Sequence, residues 1–245
     1  MDLGLAGSKA IVTGGSKGIG RETARILAEE GCDVAVTARD ADRLTSVAAE
    51  LSEATGGTVL PFPGDMGVQE DVDRTMAGAI EALGHVDILV TCAGSSPGGL
   101  LEGLTEDQWL SSLQLKFMGY VRCCTAILPH MRERGSGSVV LVVGNDGMKS
   151  SYWELTAGAA NAADNNFASA MAEQYGRHGV RVNTVNPGPV NTGYLDDAPP
   201  SFVDAFPQHR IGEPEDPARL IGWLVSDEGR WVVGQVLSSE GGFRR

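Results

Sequence analysis

The chain has 245 residues, 42% of them hydrophobic, and a formal net charge of −13 at pH 7. That size and apolar content suit one globular α/β domain, or at most two small ones. The acidic balance disfavours nucleic acid, whose phosphates it would repel, and the longest apolar runs, such as Val139–Val143, are far too short to cross a bilayer as a helix.

The first residues, Met1–Gly15, show no basic region followed by an apolar stretch and a small-residue cleavage site, so no secretory signal is read there and a cytoplasmic protein is expected. A strand is predicted at Lys9–Thr13. It runs straight into Thr13-Gly14-Gly15-Ser16-Lys17-Gly18-Ile19-Gly20 and then an amphipathic stretch, Gly20–Glu30. Gly14 permits a tight turn, Gly18 lets the backbone approach a pyrophosphate, and Gly20 lets helix and strand pack closely, with the helix N-terminus facing the phosphate charge. A second strand, Asp33–Thr37, leads to the helical stretch Ala41–Ala54. A third, Thr58–Phe62, is followed by Asp65-Met66 and the helical stretch Val68–Leu83. The fourth, Val86–Thr91, runs into Cys92-Ala93-Gly94.

A long helical stretch, Glu106–Arg134, comes next, then a fifth strand at Ser138–Val143 and a helix at Gly158–Arg177. The sixth strand, Val180–Val185, leads to Asn186-Pro187-Gly188, and the last is Gln235–Leu237. The irregular segment Gly193–Arg210 carries three prolines. Its place after a strand end makes it a candidate lid over the ligand crevice. Strand–helix alternation with buried apolar strands implies a doubly wound, seven-stranded parallel sheet with helices on both faces, a single-domain Rossmann fold over residues 1–245. The cysteines, at 32, 92, 123 and 124, show neither metal-ligand spacing nor a disulfide framework, so reduced thiols and no metal site are expected.

The Thr-Gly-x-x-x-Gly-x-Gly turn in this setting resembles that of the short-chain dehydrogenase/reductase family, notably its 3-oxoacyl-carrier-protein reductase-like members. Further blocks in register extend the resemblance over essentially the whole chain: Asp65, Cys92-Ala93-Gly94, Gly179-Val180-Arg181-Val182-Asn183, Asn186-Pro187-Gly188 with Val190 and Thr192, and Gly234-Gln235 with Gly241-Gly242. The resemblance implies that Asp65, with Met66 beside it, reaches the adenine, and that Pro187, Gly188, Val190 and Thr192 hold the nicotinamide carboxamide. Gly14, Ser16, Lys17, Gly18, Ile19, Gly20, Cys92, Ala93 and Gly94 complete the expected cofactor cradle. NAD-dependent members end the second strand with an Asp for the ribose 2′-hydroxyl. Here Ala38 stands there, followed by Arg39, with Lys17 in the glycine loop. Two cations without that carboxylate favour NADP(H) over NAD(H).

The family's chemistry uses a Tyr acid/base, a Ser that binds the substrate oxygen, a Lys four residues after the Tyr, and an Asn on an earlier helix. Counting from the following helix and strand places the Tyr position at Ala157 and the Lys position at Asn161. The Ser position is Gly144, thirteen residues before Ala157, and counting back thirteen from Pro129 puts the Asn position at Lys116. Lys and Asn thus look exchanged, with Lys116 supplying positive charge near the cofactor ribose and Asn161 hydrogen-bonding it. Asp146 and Tyr152 are further candidates for the missing proton path. Three functions stay open: an oxidoreductase of carbonyls or alcohols with a rebuilt proton path, a lyase-like enzyme on the same fold, and a catalytically silent dinucleotide-binding or regulatory protein. The resemblance also implies a small-molecule substrate and a homo-oligomer, tetramer or dimer, built through the two long helices. Leu100, Leu101 and Trp153 are read as pocket or core.

Overall fold

The computed structural model describes residues 3–193, 195 and 199–243. Seven parallel strands form one sheet: β1 (Lys9–Thr13), β2 (Asp33–Ala38), β3 (Val59–Pro63), β4 (Ile88–Thr91), β5 (Gly137–Val142), β6 (Val180–Pro187) and β7 (Val236–Ser239). Their order is β3-β2-β1-β4-β5-β6-β7, so the winding reverses between β1 and β4. That reversal opens a crevice at the carboxyl ends of the strands, the usual ligand position in such sheets. The expected doubly wound fold is therefore present.

Strand side chains alternate between the two faces. Ile11, Leu89, Val139, Leu141 and Val182 pack beneath one helical layer. Ala10, Val12, Val34, Val36, Val90, Val140 and Val142 pack beneath the other. The first layer holds α3 (Gln69–Leu83), α5 (Met118–Arg134) and α6 (Leu155–Gly176). The second holds α1 (Gly18–Glu29), α2 (Ala41–Thr55) and α7 (Glu215–Val225). Because both faces are covered, central strands read as continuous apolar runs.

Three departures from the sequence expectations bear on function. The stretch Glu106–Arg134 is not one regular helix: α4 (Glu106–Ser112) and α5 are joined by a π turn, Leu113–Phe117. Such a turn inserts an extra residue into the helical repeat and redirects the side chains on it, and Lys116 lies on it. The helix expected at Gly158–Arg177 begins earlier, at Leu155. Within the expected lid, residues 200–205 form a 3₁₀ turn, while Tyr194, Asp196, Asp197 and Ala198 lie outside the described residues. The four cysteines are free thiols, and no metal-holding cluster occurs among the described residues.

Helix α7 is secured from the sheet. The Arg181 guanidinium, on β6, donates to the carbonyl oxygens of Leu224, Val225, Ser226 and Gly229. It supplies both hydrogen bonds and positive charge to the C-terminus of the helix. Arg181→Ala is expected to destabilise the fold by roughly 2–4 kcal/mol, since four charged hydrogen bonds to part-buried carbonyls at the end of the helix are lost. Denaturant unfolding checks this, and a change under about 0.5 kcal/mol would contradict it.

Candidate active site

Thr13 ends β1 fully buried. Its Oγ1 accepts the N–H groups of Cys92 at 3.0 Å and Ala93 at 3.1 Å, which ties the two strands together where the winding reverses. The chain then turns so tightly that side chains are excluded. A Cβ on Gly14 (φ +70°) would lie 2.9 Å from the Ala93 nitrogen, and one on Gly20 would lie 2.4 Å from the Gly14 oxygen. Gly20 thus has the packing role expected of it. Gly18 has a further role: a Cβ there would meet Thr192 Cγ2 at 2.8 Å, so this glycine also admits the segment that follows β6. Lys17 precedes α1 without a side-chain cap, leaving the first-turn N–H groups available to an anion.

A cavity of ≈ 420 Å³ lies against this turn, lined by Gly14, Ser16, Lys17, Gly18, Ile19, Gly20, Arg39, Asp65, Met66, Cys92, Ala93, Gly94 and Thr192. Asp40 and Arg43 line it as well. The carboxylates here are already engaged. Asp40 caps α2 by accepting the Arg43 N–H at 3.0 Å. Asp65 accepts the Gly67 N–H at 2.8 Å and stands 4.0 Å from the Arg39 guanidinium. Lys17, Arg39 and Arg43 set three cations against these two carboxylates. Arg43 escaped the sequence reading; it lies in the first turn of α2, three residues after the Asp40 cap.

A second cavity, of ≈ 470 Å³, shares Ile19, Cys92, Gly94, Val142 and Thr192 with the first. Lys116, Asn161, Asp146, Glu154, Trp153, Pro187, Gly188 and Val190 also line it. The Lys116 stem lies over Gly94, where a Cβ would be 3.4 Å from its Cγ, and its ammonium donates to the Val143 oxygen at 3.4 Å. Burial pushes the Lys116 pKa down, while the negative charges of Asp164, Asp146 and Glu154 pull it back up. Asn161 is 1% exposed. Its Nδ2 sits 2.7 Å from where a Gly144 Cβ would be, and its Oδ1 has no hydrogen-bond partner. The turn after β5 is pressed onto α6: a Cβ on Gly147 would lie 2.6 Å from the Asn161 carbonyl carbon.

Three of the four expected catalytic residues, Lys116, Asn161 and Asp146, thus meet in one cavity. Tyr152 does not join them. It is 77% exposed and absent from the cavity wall, where its neighbour Trp153 stands instead. Tyr152 therefore faces solvent and is not placed to serve the expected proton path from within this cavity. Leu100 and Leu101 are 53% and 63% exposed and form neither pocket wall nor core.

The far side is closed by the C-terminal segment. Asn145 donates to Glu240 at 3.1 Å, and the Lys149 ammonium pairs with Glu240 and donates to the Phe243 oxygen. Glu240 packs against Gly188, where a Cβ would lie 2.8 Å from its own Cβ. Phe202, Phe206 and Phe243 stack beside it, the last two with ring centres 4.7 Å apart. The Gly188 position therefore serves packing of the chain end as well as the expected cofactor segment.

One ionisable residue near this site went unnoticed in the sequence. Asp164 follows Asn161 by three residues on α6 and is 0% exposed. Neither of its oxygens has a hydrogen-bond partner. Burial pushes its pKa up to about 8 against the opposing charge of Lys116. The available signal was the 157–161–164 spacing, which places all three on one helix face.

The family described as short chain dehydrogenase matches residues 8–200 of the chain. The chain is 30% identical over 242 residues to a 3-oxoacyl-acyl-carrier-protein reductase of Chlamydia muridarum, covering 97% of this chain and 98% of that one. It is 31% identical over 247 residues to a glucose 1-dehydrogenase of Gluconobacter oxydans, covering 97% and 92%. Among solved structures, the L-sorbose reductase of Gluconobacter frateurii complexed with NADPH and L-sorbose superposes with a TM-score of 0.94 at 28% identity, covering 99% and 98%.

Proposed function

The chain belongs to the short-chain dehydrogenase family, and on that premise we propose that it is an oxidoreductase that binds NADP(H) and interconverts a carbonyl and an alcohol, with Lys116 in place of a phenol as the proton-exchanging group. The observation that carries this is the continuity of the two cavities. One end bears Lys17, Arg39 and Arg43, and the other bears Lys116 and Asn161. When bound, the nicotinamide supplies or accepts the hydride. The excluded Cβ positions at Gly14 and Gly20 and the uncapped start of α1 fit a pyrophosphate, and the three cations fit a 2′-phosphate. The unpartnered Asn161 Oδ1 is an acceptor for a ribose hydroxyl. Lys116 donates to the substrate oxygen as charge develops there, and its lowered pKa brings proton exchange closer to neutral pH. The NADPH complex of the sorbose reductase supports the choice of cofactor.

Binding without turnover is the alternative favoured by one observation: no hydroxyl stands at position 144 or 157. The deciding experiment follows nicotinamide absorbance with a panel of carbonyls and alcohols, alongside a binding titration. Carbonyl-dependent NADPH oxidation supports the oxidoreductase. NADPH binding with no absorbance change for any substrate leaves a silent binder, and product formation without an absorbance change points to a lyase.

The cation end makes its own prediction. Arg39→Ala with Arg43→Ala is expected to weaken NADPH binding roughly 30–100-fold, since charge-assisted bonds to a phosphate are worth about 1.5–3 kcal/mol each before solvent screening. NADH affinity should change less than about threefold, because NADH has no 2′-phosphate. Parallel losses for both cofactors would remove these two residues from cofactor choice.

A further inference from the structure

Trp153 lines the second cavity and is still 53% exposed. A large aromatic left half in water at a cavity wall marks a surface that a ligand completes. The chain around it is arranged to hold it there. Gly98 makes room for the indole, since a Cβ at that position would lie 2.8 Å from Trp153 Nε1. The backbone is fixed on both sides. The Trp153 N–H donates to Ser151 Oγ at 3.3 Å, and its carbonyl accepts the Gly99 N–H at 2.8 Å. Gly99 and Glu154 pair as an isolated parallel bridge. The Thr156 hydroxyl donates to the Pro97 oxygen at 2.7 Å, and Ser112 donates to the Thr156 oxygen at 3.2 Å. The indole is thus a held platform, and covering it with a ligand costs little freedom.

Phe202 and Phe243, with ring centres 5.9 Å apart, bring two further aromatic side chains to the same wall. Charge on the wall is unbalanced. Among its described residues Lys116 is the only cation, whereas Asp146 and Glu154 are both acidic. Lys149 stands outside the wall and is paired with Glu240. With Lys116 engaged at the substrate oxygen, no cation remains for a carboxylate, a phosphate or the phosphorylated carrier of an acyl thioester. The two acidic side chains repel each of these.

Resting on the oxidoreductase reading, we infer that the substrate is an aryl ketone or aryl aldehyde without negative charge, whose ring stacks on Trp153 while its carbonyl oxygen meets Lys116. Asp146 and Glu154 turn away carbonyl acids and acyl thioesters of phosphorylated carriers. The carbonyl carbon takes the hydride of NADPH, which leaves as NADP⁺. The oxygen takes one proton from Lys116, which regains one from water. Trp153 is a specificity-determining residue. It touches the ring and not the reacting atoms, so it holds the substrate equally well before and during hydride transfer and acts on KM.

Binding is read first, in saturating NADP⁺, with which acetophenone cannot be reduced. Saturation-transfer NMR titrations compare acetophenone with para-acetylbenzoate, its ring-carboxylated counterpart. Acetophenone should bind at least about tenfold more tightly, and Glu154→Gln should narrow that gap to about threefold. Trp153→Ala should weaken acetophenone roughly 5–10-fold, and Trp153→Phe, which keeps a flat ring, less than about threefold. With NADPH, the loss in Trp153→Ala should appear in KM rather than kcat. The preference for acetophenone over acetone, which has no ring, should fall by the same factor, whereas a merely structural disturbance would lower both rates and keep their ratio. No binding of acetophenone, equal or tighter binding of para-acetylbenzoate, or an unchanged ratio in Trp153→Ala would overturn the assignment. Should Trp153→Ala fail to fold, the two ligands on the wild type and the Trp153→Phe variant decide it. Selective acetophenone binding by a protein that oxidises no NADPH with any carbonyl supports the aryl subsite and removes the oxidoreductase reading. NADPH oxidation with no preference for acetophenone over acetone removes the aryl subsite alone.

Discussion

Replacing Lys116 by methionine will lower kcat/KM for carbonyl reduction by roughly 10²–10⁴-fold, the range a positioned acid or base contributes, while NADPH affinity stays within about threefold. Methionine fills the same volume over Gly94 without an exchangeable proton, so packing is largely kept. Affinity is expected to survive because, on the proposed reading, the cofactor's phosphate charge would be met at the other end of the groove, which Lys17, Arg39 and Arg43 line. Lys116→Arg sharpens the test. It keeps the positive charge but holds its proton far too tightly to give it up, so activity should remain low if proton transfer is the role and recover if charge alone is needed. A tenfold or larger loss of NADPH affinity in the methionine variant would instead assign Lys116 to the ribose, as its exchange with Asn161 in the sequence first implied.

What could be read from the sequence is what local covalent constraint dictates. Gly14 and Gly20 stand where any Cβ collides with backbone, and a strand, a glycine turn and a helix in immediate succession leave few alternatives. Counting along a stretch without an evident insertion is what assigns the family's Ser, Tyr and Lys positions to Gly144, Ala157 and Asn161. Other features depend on which way a side chain points, and apolar periodicity does not carry that. The π turn at Leu113–Phe117 lies inside a continuous helical pattern, so its redirection of Lys116 was invisible. Asp164 reads as one more polar residue on a long helix until the packing of α6 shows it buried. Arg43 reads as a solvated charge until the Asp40 cap fixes the start of α2 beside the glycine turn. Helix α7 was missed despite legible start signals, Pro214 followed by Glu215 and Asp216, because its pattern follows directly on the irregular proline-containing segment.

Gly144→Ser, which places a hydroxyl where the sequence count expects the family's serine, is expected to destabilise the protein by roughly 2–4 kcal/mol and lower Tm by about 5–15 °C. Two separate causes add. Gly144 adopts φ +118° and ψ 142°, a conformation that residues with a Cβ rarely take, and the new Cβ would lie 2.7 Å from Asn161 Nδ2. Thermal unfolding of Gly144→Ser, Asn161→Ala and the double variant separates them. Removing the amide should relieve the collision but not the backbone strain, so the double variant should be more stable than the sum of the single changes predicts. A Gly144→Ser protein within about 2 °C of wild type would show that the turn relaxes freely and that positions 144 and 161 are independent. If the coupling holds, the absent serine and the asparagine at the lysine position are one structural change: Asn161 occupies the space that the missing side chain leaves. Placing a serine at position 144 would then cost stability before it returned any chemistry, and a proton path would have to come from what the cavity already contains, Lys116 first among it.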